Sequence, residues 1–296
     1  MPKSEPQECK TVSVIRVGEQ AANHFENDLL AVEEPLEIRL GWEENGKFTH
    51  KSISITMRTP GSDEELAAGF LFTEGIVHAK EQIRRIVHCG LSNKTSNSPN
   101  TIRVDLNPGA TIDYKKLERH FYTSSSCGVC GKSSIEALHT GARKIEKQNF
   151  PVFSPDTIHR LPETLRKQQN VFDQTGGLHA AALFDNRGNL IAMREDVGRH
   201  NAVDKLIGSQ FLAGKVPFAD KLLQVSGRAS FELVQKALMA GIPILSAIGA
   251  PSSLAVELAK EFGMTLLGFV RDNHFNIYCG EQRIKNVTEL SAVAGG

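Results

Sequence analysis

From Leu36 onward the chain alternates apolar and polar positions with a period of two: LEIRL, then Asn45-Gly46, then FTHKSISITMR. An Asn-Gly pair between alternating runs predicts a β-hairpin, because both turn positions need a positive φ that these residues adopt at low cost. Pro60 and Gly61 end the run. Ser62, with Glu65 three residues on, reads as a capping box that opens an apolar helix through LAAGFLFTEGIV. IRRIVH and TIRVDL predict two more strands, separated by the polar loop LSNKTSNSPN. The stretch from Pro155 to Phe172 predicts a helix broken or kinked at Pro162, whose missing N–H cannot join the helical ladder. AAALFD, a turn at Asn186 to Asn189, and LIAMRE then lead into a helix from His200 to Leu212.

The last third alternates strands with amphipathic helices: KLLQV, ASFELVQKALMA, IPILSAI, SSLAVELAKEF and TLLGFV. That alternation predicts a parallel sheet with right-handed crossovers. The fold class is therefore α/β, with a principal domain over 151–296 and a smaller β-rich α+β lobe over 34–150. Residues 1–33 carry little pattern and are expected to form a loosely held arm or an edge strand.

Composition narrows the function more than the fold. Lys plus Arg and Asp plus Glu both count 34, so no electrostatic excess points to nucleic acid or an anionic membrane. The longest apolar stretch, Ala237 to Ala250, is interrupted by Gly241, Pro243 and Ser246 and falls short of the roughly 20 residues that cross a bilayer. Met1 to Lys10 has no apolar run of the secretory kind, and the expectation is a cytoplasmic protein. Five cysteines (9, 89, 127, 130 and 279) at irregular spacing do not resemble a secreted disulfide framework.

The close pair is the chemical centre. It lies in TSSSCGVCGKSSIE, Thr123 to Glu136, where Ser133 and Glu136 again read as a capping box. A helix start just after Cys130, with Lys132 adjacent, favours a thiolate, and Gly128 and Gly131 allow a tight loop. A structural zinc site wants four ligands, and neither a second pair nor His88 with Cys89 supplies them well. A thioredoxin-like dithiol expects the pair after an early strand of a small βαβ fold, which is absent. Zinc deaminases need His-x-Glu ahead of Pro-Cys-x-x-Cys; Ser126 stands where that Pro would be, so this pairing is not expected. Sulfur transfer needs only one exposed, low-pKa cysteine on a mobile loop, which the Ser-rich, Gly-punctuated approach suits. Cys9, Cys89 and Cys279 have no comparable setting and read as packing or incidental thiols.

A parallel sheet in the last third would place three loops at the carboxyl ends of its strands: 226–230 (SGRAS), 249–253 (GAPSS) and 270–273 (VRDN). Ser226, Gly227 and Arg228 in the first, like the Gly and Ser residues of the second, could turn and cap, or could offer backbone amides to a phosphate. Arg228 and Arg271 add bidentate donors, and Asp272 could accept from a base amino group. The charged run from Arg194 to Asp204, with Gly176, Gly177 and His179, reads as a second wall. There His179 or His200 could shuttle protons, hold an anion, or be an ordinary buried histidine. Neither a Walker A sequence nor the G-x-G-x-x-G spacing is present, which disfavours nucleoside triphosphatases and dinucleotide dehydrogenases.

In order along the chain, MRTPGSDEELAAGFLFTEGI, TSSSCGVCGK, TGGLHAAAL, REDVGRHNAVDKLIG, SGRASFELVQKA, GIPILSAIGAPSSLAVELA and FNIY resemble the FdhD family of formate dehydrogenase accessory sulfurtransferases, from Met57 to Tyr278. The resemblance implies a cytidine deaminase-like mixed sheet and, as a rule, a homodimer. It also implies that sulfur passes from a cysteine desulfurase to the molybdenum cofactor, bis(molybdopterin guanine dinucleotide), which is bound as acceptor before it enters formate dehydrogenase. Cys127 would carry the persulfide, with Cys130 as second thiol for relay or resolution. The family's cofactor contact falls on Phe269, Val270, Arg271, Asp272, Asn273 and His274. A non-catalytic chaperone that shelters the cofactor is the alternative from another class.

Overall fold

The computed structural model describes residues 8–18, 24–92, 99–110, 142, 144–145 and 151–287. The predicted hairpin is present: β3 (Glu34–Glu44) pairs antiparallel with β4 (Lys47–Arg58), and Asn45 and Gly46 turn between them at φ 52° and 73°. With β5 (Ile83–Ser92) and β6 (Pro99–Leu106) they form a four-stranded sheet in the order β4-β3-β6-β5. The N-terminal residues are more ordered than their weak pattern indicates. β1 (Cys9–Arg16) and β2 (His24–Ala31) make a separate antiparallel hairpin with the apolar Ile15 opposite Phe25, both exposed.

Helix α1 (Asp63–Thr73) starts where expected, but not through a capping box. Ser62 sits in the left-handed region at φ 53°, and its side chain caps nothing. Asp63 instead holds the buried Arg58 by a fork of 2.9 and 3.0 Å, and Glu65 is taken by Arg194. The helix also ends before the predicted Val77, because the chain turns at Glu74 and Gly75. Helix α2 (Pro155–Arg166) continues unbroken past Pro162, and the break falls at 167–169, ahead of α3 (Asn170–Thr175). Proline removes one ladder bond, but Ser154 caps the first turn and Ile158, Leu161 and Leu165 are buried, which outweighs that loss.

Six strands form the second sheet: β7 (His179–Phe184), β8 (Leu190–Asp196), β9 (Leu222–Val225), β10 (Ile244–Ala247), β11 (Thr265–Arg271) and β12 (His274–Cys279). Their order is β12-β11-β10-β9-β7-β8. The expected parallel arrangement holds for β9, β10 and β11, but β7 runs against both of its neighbours and β12 against β11, so the sheet is mixed. One consequence matters for the site. Strands β8, β9, β10 and β11 point the same way and end at a common edge.

Helices α4 (Arg199–Leu212), α5 (Phe231–Met239) and α6 (Ser253–Phe262) share one large core with α1, the four-stranded sheet and one face of the six-stranded sheet. The other face of that sheet carries Ala180, Ala182, Phe184, Leu222 and Ile244, and packs on α2 through a second core. Helices α1 and α4 cross so closely that a Cβ added at Gly69 would lie 1.9 Å from the Asp204 carbonyl oxygen, and one at Gly208 1.8 Å from that of Glu65. Glycine is needed at both positions for this approach, which brings Thr73 and Asp204 into contact with Lys236 of α5. Burial alone would neutralise Lys236, but Asp204 and Glu74 hold its ammonium and push its pKa up.

Candidate functional site at the strand ends

The charged run after β8 first serves to join the two sheets. Asp196, fully buried, accepts from the Thr59 and Gly198 amides at 3.2 and 2.8 Å and from Asn201 Nδ2 at 3.0 Å, and pairs with Lys205 at 2.7 Å. Lys205 and Asn201 reach on to the Thr59 and Met57 carbonyls at 2.8 and 2.7 Å, just past and at the end of β4. Arg194 forks onto Glu65, and the half-buried Glu195 accepts from the amides of Val171 and Phe172. Burial raises the Glu195 pKa above the usual carboxylate range. Most of the predicted second wall is therefore an internal clamp. Of that run, His200 reaches the strand ends, and the charge of Arg199 acts on His179 there.

There they meet the loop after β9. Ser226 closes the β7–β9 ladder: its amide donates to the Ala180 carbonyl at 3.0 Å, and its hydroxyl accepts from the Ala180 amide at 2.8 Å. Gly227 lies beside His179, where a Cβ would be in ordinary contact at 3.4 Å from His179 Nδ1. His200 Nε2 lies 3.3 Å from Ser230 Oγ and 3.7 Å from Glu232 Oε2. Sequence reasoning missed Glu232, which stands in the first turn of α5, two residues after Ser230. The His200 imidazole facing it, offset in part by burial, holds the Glu232 pKa down at about 2. Burial first, then the charges of Arg199 and His200, lower the pKa of His179 and keep its ring neutral.

A pH prediction follows for Glu232. Its folded pKa of about 2 lies below the ordinary 4.5, so it stabilises the fold fully above pH 4.5 and loses that contribution as pH falls toward 2. Urea midpoints of Glu232→Gln and the parent protein are expected to coincide near pH 2 and to separate above 4.5, with the parent higher. A constant gap across that range would mean the carboxylate has no such role.

The loops after β9 and β10, which could turn and cap or offer amides to a phosphate, are laced to each other through part of their amides. The Gly249 amide donates to the Gly227 carbonyl at 3.0 Å, that of Ala229 to Ala250 at 3.2 Å, and that of Ser252 to Ala229 at 3.0 Å. Ser252 also caps α6 through the Ala255 amide. What this lacing leaves exposed is the side chain of Arg228, which has no carboxylate partner among the described residues. The third loop is tighter than a crevice loop. Asp272 and Asn273, at φ 51° and 57°, form a two-residue turn between β11 and β12, flanked by the pair Arg271 and His274.

Around that turn, Arg271, Asp272, Asn273 and His274 are all exposed, whereas Val270 is fully buried in the second core and can offer a ligand only its backbone. Arg271 lies 3.9 Å from Asp272 and over the Phe269 ring at 5.9 Å. Phe269 itself has φ 54°, a strained value for a bulky residue, and its amide donates to the Gly249 carbonyl at 3.2 Å. The strain sits in a bulge between Gly268 and Arg271 that turns this strand end toward the β10 loop.

Cys127 and Cys130, with the Ser133–Glu136 signal, lie outside the described residues. Of the other thiols, burial chiefly raises the pKa of Cys9 and of Cys279, so both favour the unreactive protonated form. His88 points toward Asp63 at 3.8 Å, and no group of three or more His, Cys, Asp or Glu that could hold a metal occurs among the described residues. A His-x-Glu triplet precedes the cysteines at His24-Phe25-Glu26, but it lies on β2, where Glu26 pairs with Arg16 and His24.

Residues 31–285 match the model of the FdhD/NarQ family. The chain belongs to that family. The sulfur carrier protein FdhD of Streptomyces avermitilis is 52% identical over 273 residues, which cover 92% of this chain and 94% of that one. The protein of the same description from Sulfurisphaera tokodaii is 42% identical, covering 94% and 99%. Among solved structures, a protein assigned as a formate dehydrogenase accessory protein from Desulfotalea psychrophila superposes with a TM-score of 0.69 at 26% identity, over 94% of this chain and all of that one. The family match begins at Ala31, so the β1–β2 hairpin stands almost wholly outside it, while the strand-end edge lies wholly inside.

Proposed function

We propose that this protein is a sulfur carrier that loads a persulfide on Cys127 and delivers the sulfur to the molybdenum cofactor, bis(molybdopterin guanine dinucleotide), for formate dehydrogenase. Membership in a family whose relatives are sulfur carrier proteins, in a chain that has Cys127-Gly-Val-Cys130, carries this reading. The raised pKa values of Cys9 and Cys279 support it by removing two rival thiols. In the loading step the Cys127 thiolate attacks the terminal sulfur of a desulfurase persulfide. One S–S bond forms, one breaks, and the desulfurase cysteine leaves as thiolate, so no net oxidation occurs.

The acceptor is a substrate, not a resident cofactor. The exposed turn Arg271 to His274, the Phe269 bulge and Ser226 to Arg228 would receive its guanine nucleotide at the edge where β9 and β11 end. Cys130 serves as the second thiol in relay or resolution, and the working unit is a homodimer. The test is intact mass spectrometry after incubation with a cysteine desulfurase and cysteine. A gain of one sulfur atom, lost again on adding the molybdenum cofactor, is the expected result. Cofactor binding with no sulfur gain at any stage would replace the carrier by a non-catalytic chaperone.

A further inference from the structure

The β1–β2 hairpin is loosely joined to the rest of the molecule. None of its described residues is buried, and neither core takes a side chain from it. At its far end Ile15 and Phe25 stand opposite each other, 58% and 77% exposed. Its main seat is where β2 lies against α3, a short helix that itself has no buried residue. A two-stranded hairpin is marginal in water on its own, and a segment with so few buried apolar contacts opens at low cost in free energy. At its base the hairpin closes one side of a cleft of about 220 Å³ beside β8, whose lining includes Glu8, Thr59, Ser62, Asn170, Glu195 and Lys205. Two carboxylates share that cleft with no cation between them. Glu8, brought by the hairpin, lies against the turn after β4, its Oε1 3.3 Å from where a Cβ on Gly61 would stand, and it has no ion pair among the described residues. Glu195, on the body, accepts from the Val171 and Phe172 amides. The other charges around it are committed: Arg194 to Glu65, Lys205 to Asp196, and Asp173 to Arg166. Burial chiefly keeps the neighbouring Cys9 thiol protonated, so it adds no charge.

We propose that the hairpin is a pH-sensitive strap over this cleft, docked on α3 while Glu195 is neutral and released as Glu195 ionises opposite Glu8. In the docked state burial, and after it the charges of Glu8 and Asp173, raise the Glu195 pKa, with the two amides offsetting part of the rise. Docking is therefore strongest below the ordinary 4.5, where the carboxyl is protonated whether the hairpin is docked or free. It weakens as pH rises through the raised value and is weakest above it. Ionisation does not loosen α3, because a carboxylate accepts the Val171 and Phe172 amides better than the neutral acid does. The hairpin alone leaves, hinged at Val32 and Glu33 between β2 and β3. Its release widens the cleft over Thr59 and Lys205, two members of the clamp between the sheets. The strap stands independently of the sulfur-carrier reading.

Hydrogen–deuterium exchange of the full-length protein, read by mass spectrometry at about pH 4.5 and about pH 8 and corrected for the intrinsic rate at each, tests it. The amides of β1 and β2 are expected to lose protection at the higher pH while those of β9 and β10 keep theirs. In Glu195→Gln, whose side chain stays neutral and keeps an oxygen for the α3 amides, that loss is expected to vanish. In Glu8→Gln, an exposed position where the change does not endanger the fold, it is expected to shrink. Glu163→Gln, in an exposed pair on α2, is expected to behave like the parent. No loss in the parent, an equal loss in Glu195→Gln and Glu8→Gln, or a loss shared by β9 and β10 overturns the strap.

Discussion

A Cys127→Ala protein is expected to gain no sulfur when incubated with a cysteine desulfurase and cysteine, while Cys130→Ala still loads. The argument is one of nucleophile quality. A thiol of ordinary pKa, roughly 8.5, is only a few per cent thiolate at neutral pH, and its attack on a persulfide is slowed in proportion. Lys132 beside the pair, and the helix start signalled by Ser133 and Glu136, both favour the thiolate. Burial works the other way at Cys9 and Cys279, so neither is expected to substitute. Intact mass spectrometry of the three proteins reads the result directly. Full loading of Cys127→Ala would move the persulfide to another sulfur and sink the assignment, whereas loss in both variants would make the pair a unit rather than a carrier with a helper.

The sequence made the elements legible where local chemistry dictates them. Asn45-Gly46 announces its hairpin because few other pairs take two positive φ angles, and the β9-α5-β10-α6-β11 alternation is visible because each helix has one apolar face. The run from Arg194 to Asp204 was misread in part because spacing does not say which way a charge points. Asp196 and Lys205 turn inward to the β4 end, Asp204 inward to α1 and α5, and His200 reaches the strand ends. Glu232 was overlooked for a related reason: an acid in a first helical turn is usually explained by the helix dipole, and only the fold brings His200 to it. Local patterns also could not reveal that Ser62 would be left-handed, because Arg58 claims Asp63 and Arg194 claims Glu65 from outside the helix.

Replacing Asp196 with alanine is expected to cost about 3–5 kcal/mol of stability, as the removal of one partner from a buried ion pair typically does. The estimate rests on what the change strands. The Lys205 ammonium, 3% exposed, keeps only the Thr59 carbonyl, and Asn201 Nδ2 keeps only that of Met57. The amides of Thr59 and Gly198 lose their acceptor altogether. Because Thr59 follows β4 and Gly198 precedes α4, the loss falls on the junction between the two sheets and on the segment that aims Arg199 and His200. Asp196→Ala should therefore lower the urea midpoint and also weaken binding of anionic ligands at the strand ends. Glu163→Ala, which breaks the exposed pair with Lys167, should change neither. Urea unfolding with an unchanged slope gives the stability difference directly. A loss below about 1 kcal/mol, the size typical of a surface pair, would mean that the core shared by α1, α4 and both sheets holds the junction without the clamp.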